Sequence, residues 1–238
     1  MRIIVVVRKN IDVIAIAYPR PDRKNNHMMQ KVDIRLRNAP TGHKGHSTVD
    51  RIIDAAADLL EARGHEALTT NHIADAAGVN IATLYKYFAN KEAILVALYV
   101  RLSRGWLEGL THLVDQIREG GHWRESVCRI IDVAAERRRE MSGAAAIRIA
   151  IKISPELQVY DRADANESAR IVADMLIDRA SVDPVTAMRV GRMAIEVGVA
   201  GLDLWLHEGA GGDVAWVGET KAAVCSYLAP YFEAPATL

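Results

Sequence analysis

The chain has 238 residues, of which 50% are hydrophobic and 25% charged, and its formal net charge is zero. This composition is ordinary for a globular protein, and no apolar run approaches the roughly 20 residues that a membrane-spanning helix needs. The two cysteines, Cys128 and Cys225, lie far apart in apolar-patterned segments. We expect them to be buried free thiols, which fits a reducing cytoplasm and no membrane partner.

The first 46 residues differ in charge from the rest, with ten Lys and Arg against three Asp and Glu. The β-branched runs "IIVVV" and "IDVIAIAY" could pair as strands, whereas the polar, turn-rich remainder is predicted to be disordered. Met28 and Met29 leave open whether the protein begins there in the cell. The basic arm either reaches DNA or is a tail without specific contacts; its candidate residues are Lys31, Arg35, Arg37 and Lys44.

Regular structure is predicted to begin near Ser47, which is a plausible N-cap because Asp50 follows three residues later. Apolar residues then recur at helical spacing, and Gly64 is expected to end this helix in the left-handed conformation. The recurring positions are Ile52, Ile53, Ala56, Leu59 and Leu60.

Two short helices are predicted to follow. Thr70 is a good N-cap for the first, Gly78 marks a sharp turn that needs positive φ, and Asn80 is a good N-cap for the second. Apolar positions line one side of each helix: Ile73, Ala74 and Ala77, then Leu84 and Phe88. Two helices of two turns, a glycine turn and a supporting helix at 48–63 indicate a helix-turn-helix.

The exposed side of the second short helix is suited to a major groove, because small side chains allow close approach and tyrosine hydroxyls can reach phosphates. It carries Ile81, Ala82, Thr83 and Lys86, flanked by Tyr85 and Tyr87. Lys91 follows Asn90, the expected N-cap of the next helix, where a cation opposes the helix dipole. A bound phosphate would explain this lysine, and a solvated lysine is the alternative.

The segment "LTTNHIADAAGVNIATLYKYFANKEAIL" resembles the N-terminal domain of the TetR (tetracycline-repressor) family of bacterial transcription regulators. The resemblance runs from about Thr48 to Leu98, roughly a fifth of the chain. Its specific pieces are "IIDAAADLLEARG", "TTNHIADAAGV" and "TLYKYFANKEAIL".

The resemblance implies a role for individual residues. Thr70 would cap the first motif helix and touch a phosphate, and Asn71 would lie at the edge of the groove. The recognition helix would open with Asn80, Ile81, Ala82 and Thr83, and the residues nearest the bases would be Ile81, Ala82 and Lys86. The DNA backbone would be bound by Tyr85, Tyr87 and Lys91. Ile81 is apolar where many relatives are polar, so methyl contacts and DNA shape are expected to carry more of the readout.

The remaining sequence predicts helices at about 90–110, 123–140, 142–153, 163–180, 184–208 and 214–232, separated by Gly, Pro or Asp/Ser punctuation. The fold class is therefore all-α. We expect a basic extension over residues 1–46, a three-helix DNA-binding domain over 47–95 and a larger helical ligand-binding and dimerisation domain over 96–238.

Small residues recur on one face of the predicted helix 184–208. Glycine inside a helix costs about 1 kcal/mol relative to alanine, so several on one face indicate a close helix approach. We expect this face and the next helix to form a homodimeric four-helix bundle, and packing within one chain is the alternative. The expected interface residues are Gly191, Ala194, Gly198, Gly201, Trp205, Val224, Tyr227 and Leu228, with Ala187, Val217 and Tyr231 on the same stripes.

The middle helices are expected to enclose a pocket for an unknown small-molecule effector. Its candidate lining residues are Trp106, Leu110, Trp123, Met141, Ile147, Ile151, Tyr160 and Met175, each of which could instead be plain core. Arg148 and Lys152 could meet an anionic ligand or extend to solvent.

No sequence pattern for an enzyme, a cofactor or a metal site is present, so no catalytic residue, cofactor or metal is expected. The predicted function is a cytoplasmic, homodimeric repressor that binds a palindromic double-stranded DNA operator and is released by its effector. One alternative is an architectural DNA binder with the same fold and no inducer. Another is a helical enzyme or lipid carrier that no longer uses the DNA-binding domain.

Overall fold

The computed structural model describes residues 2–7, 13–18, 42–103, 105–208 and 213–233. The chain divides into two compact units, residues 1–104 and 105–238. The division lies later than the boundary expected after residue 95, because the helix that spans this position continues to Ser103. The arm residues Lys31, Arg35 and Arg37 lie outside the described residues.

The described residues of the first unit form a β-hairpin and four helices. Strands β1 (Arg2–Val7) and β2 (Val13–Tyr18) pair in antiparallel register from Arg2–Tyr18 to Val7–Val13, as the β-branched runs suggested. They are the only strands in the part of the chain that the structure describes. The helices are α1 (Gly42–Arg63), α2 (Thr70–Ala76), α3 (Ile81–Tyr87) and α4 (Lys91–Ser103).

Helix α1 begins earlier than predicted. Ser47 is not an N-cap, because the helix already runs through residues 42–46, and the Thr48 hydroxyl donates a hydrogen bond to the Lys44 carbonyl at 2.8 Å. Gly45 and Val49, one turn apart, are both buried, so the added turn has a packed side. Gly64 ends the helix with φ of 73°, which confirms the predicted left-handed cap.

Where the structure describes the second unit, it is a bundle of six helices. They are α5 (Trp106–Arg118), α6 (Trp123–Glu140), α7 (Ala144–Ile153), α8 (Pro155–Ala180), α9 (Pro184–Glu208) and α10 (Val214–Phe232). The all-α class is thereby confirmed, and the bounds of α6, α9 and α10 match the predicted ones.

Besides α1, two predicted helices differ from the structure by more than two residues. The single helix expected at 90–110 is two helices, because Gly105 adopts φ of 68° between α4 and α5. Helix α8 begins at Pro155 instead of residue 163. Its start is set by the Ser154 hydroxyl, which accepts a hydrogen bond from the Leu157 backbone N–H, and by proline at the first helical position.

Helices α7, α8 and α9 are joined by a buried ion pair network. Arg148 donates to both oxygens of Asp203 at 2.8 and 3.3 Å and to Asp161 at 2.8 Å. Burial lowers the pKa of Arg148, but its pairing with Asp203 and then Asp161 raises the pKa above the ordinary value overall. Lys152, the other cation of α7, is paired as well, because its ammonium lies 3.5 Å from a carboxylate oxygen of Asp203. Arg148 is therefore a structural cross-link rather than an open anion ligand.

Two glycines of the small-residue stripe of α9, Gly191 and Gly201, pack against helices of the same chain, and the place of the stripe in a dimer interface stays a prediction. A Cβ atom on Gly191 would lie 2.5 Å from the Ala169 carbonyl oxygen of α8, and one on Gly201 would overlap Thr220 of α10. The rest of the stripe contributes to or lies beside the core of this unit. Ala194, Trp205, Val224 and Leu228 are buried there, while Gly198 and Tyr227 are half-buried.

We predict that Gly191→Ala destabilises the protein by about 1–3 kcal/mol, because the added methyl meets backbone rather than a side chain that can move. Gly198→Ala is the matched control on the same helix. Its Cβ would lie 3.9 Å from Val224, an ordinary contact, so the better helix propensity of alanine should leave stability unchanged or raise it by up to about 1 kcal/mol. Denaturant unfolding measures both; equal effects would contradict the close α8–α9 approach.

Candidate nucleic-acid interface

Side-chain caps define where the two short helices begin. The Thr69 hydroxyl accepts a hydrogen bond from the His72 backbone N–H at 3.2 Å, so Thr69 and not the predicted Thr70 is the N-cap of α2. The Asn80 side-chain oxygen accepts from the Ala82 backbone N–H at 2.7 Å. This confirms Asn80 as the N-cap of α3.

The turn between α2 and α3 is tight and depends on glycine. Gly78 has φ of 62°, a left-handed conformation that costs glycine little and other residues more. The Val79 backbone N–H donates a hydrogen bond to the Ala74 carbonyl oxygen at 3.0 Å, which satisfies a carbonyl at the end of α2. Asn80 then starts α3 two residues after the glycine, as the sequence predicted.

One side of this helix pair is buried and the other is accessible. Ile73, Leu84 and Phe88 are completely buried in the first unit. The predicted DNA-contacting residues lie mostly on the accessible side. Asn71, Asn80, Ala82, Tyr85 and Lys86 are exposed, and Thr70, Ile81, Thr83 and Lys91 are half-buried.

Tyr87 departs from the expectation that both tyrosines of α3 are exposed. It is only 6% exposed, and the Lys86 ammonium lies 5.3 Å from the centre of its ring. Tyr87 lies three residues after the buried Leu84, which places both on one side of a helix. This spacing was available in the sequence and favours a core position over a flanking one.

Thr70 and Tyr85 join the start of α2 to the middle of α3. Their hydroxyl oxygens lie 3.0 Å apart in a hydrogen bond, although the residues are 15 apart in sequence. No local pattern predicts this pair. It fixes the phenol of Tyr85, whose side chain is 39% exposed, at the surface shared by the two helices.

The start of α4 completes the accessible surface. The Asn90 side chain accepts a hydrogen bond from the Ala93 backbone N–H at 2.8 Å, as expected for an N-cap. The Lys91 ammonium lies 3.5 Å from the His65 carbonyl oxygen, so it is held over the connection between α1 and α2. The structure thus brings a cation, a helix N-terminus and the Thr70–Tyr85 hydroxyl pair onto one small domain, a combination that suits phosphate contacts.

The predicted effector-binding residues separate into two groups in the second unit. Trp106, Leu110, Trp123 and Met175 belong to or pack against one apolar core, in which the Trp106 indole N–H donates to the Ser168 hydroxyl at 3.0 Å. Ile147 and Ile151 of α7 and Tyr160 of α8 are buried as well, and Met141 is half-buried at the end of α6. Their role as ligand contacts stays a prediction.

The fold and the accessible α2–α3 surface define a helix-turn-helix protein with a separate helical domain. Residues 52–98 match the profile of the bacterial regulatory proteins of the tetR family, and residues 121–232 match that of the tetracyclin repressor-like C-terminal domain. The chain belongs to the tetR family. Membership confirms the class that the sequence predicted, a DNA-binding regulator of transcription.

Individual relatives resemble only part of the chain. The HTH-type transcriptional regulator YvkB of Bacillus subtilis is 45% identical over 51 residues, and the fatty acid metabolism regulator protein of that species is 32% identical over 81 residues. These alignments cover 21% and 34% of this chain and only 27% and 40% of the relatives' own lengths.

Solved structures share the fold over most of the chain. A TetR-family regulator from Streptomyces coelicolor has a TM-score of 0.55 at 23% identity and covers 77% of this chain and 99% of its own. A putative TetR-family regulator from Mesorhizobium loti has a TM-score of 0.59 at 15% identity, with 77% and 96% covered. At these identities the likeness concerns the fold alone.

Proposed function

We propose that the protein is a homodimeric repressor that binds a palindromic DNA operator and is released by a small apolar or amphipathic ligand. The single observation that carries the proposal is the α2–α3 pair, whose buried side is packed while its other side presents Asn80, Ala82, Tyr85 and Lys86 to solvent. We assign it no catalytic role, and it would act in the cytoplasm, where operator DNA lies. None of the described helices is long and apolar enough to cross a bilayer.

In this proposal α3 enters the major groove. Ala82 and the half-buried Ile81 and Thr83 at its start allow close approach and apolar contact with thymine methyl groups. Tyr85, oriented by Thr70, and Lys91, held by the His65 carbonyl, would contact phosphates on either side. Because α3 carries a single cation, Lys86, and no carboxylate, DNA shape would supply part of the specificity.

A dimer would supply two such helices at the spacing of successive major grooves, about 34–36 Å. Since Gly191 and Gly201 pack within the chain, we place the dimer surface on an adjacent, exposed side of α9 and on the solvent side of α10. Met193 and Leu204 of α9 are 51% and 46% exposed, and positions 193, 197, 200 and 204 repeat at helical spacing. The solvent side of α10 carries small residues around one carboxylate, with Ala215, Gly218, Glu219, Ala222, Ala223 and Ser226 exposed.

Release by a ligand would be a shift between two conformations of the protein. A ligand that binds one conformation of the second unit more tightly favours it, and operator affinity falls if the two α3 helices then no longer match successive grooves. A ligand with equal affinity for both conformations would change nothing. The apolar residues Trp106, Leu110 and Met175 support an apolar or amphipathic ligand.

We predict that Lys91→Ala combined with Tyr85→Phe weakens operator binding by roughly tenfold at physiological salt, because two phosphate contacts are lost in each half-site, one of them ionic. The dependence of log affinity on log salt should become shallower by about two per dimer. Binding titrations at several salt concentrations measure both effects.

The matched control is Arg129→Ala, which removes the same charge from an exposed position of α6. It should leave affinity and salt dependence unchanged. Equal behaviour of the double variant and this control would show that α3 and the start of α4 do not contact DNA as proposed.

We predict that Leu204→Glu weakens dimerisation at least about tenfold, because dimer formation would bury an unpaired carboxylate. Operator affinity should fall with it. Val185→Glu is the control, since Val185 is 69% exposed on the same helix but lies outside the 193–204 stripe. Sedimentation velocity distinguishes the outcomes: a stable dimer of the Leu204→Glu variant would contradict the proposed surface.

A further inference from the structure

Helices α6 and α10 pack antiparallel in a register fixed by contacts at both ends of the cysteine pair. Toward the start of α6, the rings of Trp123 and Phe232 stack with centroids 4.7 Å apart and an angle of 11° between them. Further along, the Lys221 ammonium lies 2.5 Å from an Asp132 side-chain oxygen. Positions on α6 that rise from 123 to 132 thus face positions on α10 that fall from 232 to 221.

This register places Cys128 opposite Cys225. Cys128 lies one helical turn before Asp132, and Cys225 lies one turn after Lys221. The neighbouring Cys128 thiol raises the pKa of Cys225, and both residues belong to or pack against the same apolar core. They are the only two cysteines in the chain, and both are free thiols.

The two thiols differ in ways that suit successive steps of one reaction. Cys128 is half-buried and Cys225 is buried. Burial first, and then the neighbouring Cys128 thiol, raises the pKa of Cys225 to about 11, while Arg124 acts in the opposite direction. Cys225 is therefore protonated and shielded at neutral pH, so Cys128 is the better placed of the two to meet an oxidant in solution.

We propose that Cys128 and Cys225 form a redox pair that a peroxide converts into an intramolecular disulfide between α6 and α10. The Cys128 thiolate attacks a peroxide oxygen, so that the S–O bond forms, the O–O bond breaks and, with hydrogen peroxide, water leaves. Cys225 then attacks the sulfur of the Cys128 sulfenic acid; the S–S bond forms, the S–O bond breaks and a second water leaves with the Cys225 proton. The two thiols lose two electrons and two hydrogens, and hydrogen peroxide is reduced to two waters.

The disulfide would fix α6 to α10 in the register seen here. Helix α10 also carries part of the dimer surface proposed above, so oxidation would bias the conformations available to a ligand and to operator DNA. This regulatory consequence rests on the proposed function. The disulfide itself does not, because its chemistry depends only on the α6–α10 contact.

The chemical test uses the full-length protein and hydrogen peroxide, followed by denaturation and thiol alkylation. The expected product is a single chain with no alkyl group, lighter by two hydrogen atoms, whose digest contains a peptide pair joined through Cys128 and Cys225. Its unfolding midpoint should rise by roughly 5–10 °C and return on treatment with dithiothreitol. Two alkylated thiols after peroxide, or disulfides only between chains, would overturn the redox pair.

The serine variants of each cysteine separate the two roles. Cys225→Ser should leave Cys128 as a sulfenic acid that a dimedone-type reagent traps, whereas Cys128→Ser should leave Cys225 unreacted under the same peroxide exposure. Equal peroxide reactivity of both variants would contradict the assigned order of attack. The mass measurement on the wild-type protein shows whether the disulfide forms, even if one of the variants folds poorly.

Operator binding tests the regulatory consequence separately. Oxidised and reduced wild-type protein should differ in operator affinity by at least about fivefold, and Cys225→Ser should show no such difference. A mapped disulfide without a change in operator affinity would restrict the pair to a structural role. If the reduced protein binds no operator at all, the proposed function fails while the mapping of the disulfide stands on its own.

Discussion

The DNA-facing surface depends on the packing of two helices that are too short to persist alone. Helices α2 and α3 have seven residues each, well below the roughly 12–15 that an isolated helix needs in water. Their stability comes from Ile73, Leu84 and Phe88, which are completely buried. Because one side of each helix is committed to the core, the other side is held rigidly and is free to meet a ligand as large as DNA.

A comparable constraint organises the second unit. Glycine at 191 and 201 lets α9 approach α8 and α10 at distances that a Cβ atom would prevent. An adjacent side of α9, with the exposed Met193 and Leu204, remains accessible to solvent and is the surface that we propose for a second copy. The Arg148–Asp203–Asp161 network adds a directional link among α7, α8 and α9, so the unit is held by both close packing and buried charge.

Local chemistry was predictable from the sequence, whereas long-range partners were not. Gly78 and Asn80 were identified correctly, because positive φ and N-capping are decided by a residue and its immediate neighbours. Thr69 was missed as a cap, because two adjacent threonines carry the same signal. The glycine stripe correctly indicated a close helix approach, but composition cannot say whether the partner helix belongs to the same chain. The Thr70–Tyr85 bond and the facing cysteines likewise required the tertiary structure.

The central claim is that a dimer of this chain reads a specific DNA sequence through two copies of α3. The most direct measurement is selection of fragments from genomic or random DNA by the purified protein at about physiological salt, with sequencing of what is retained. The account predicts one palindrome with half-sites about one helical turn apart. Retention of no DNA, or of AT-rich DNA without a repeat, would contradict it and favour an architectural DNA-binding protein.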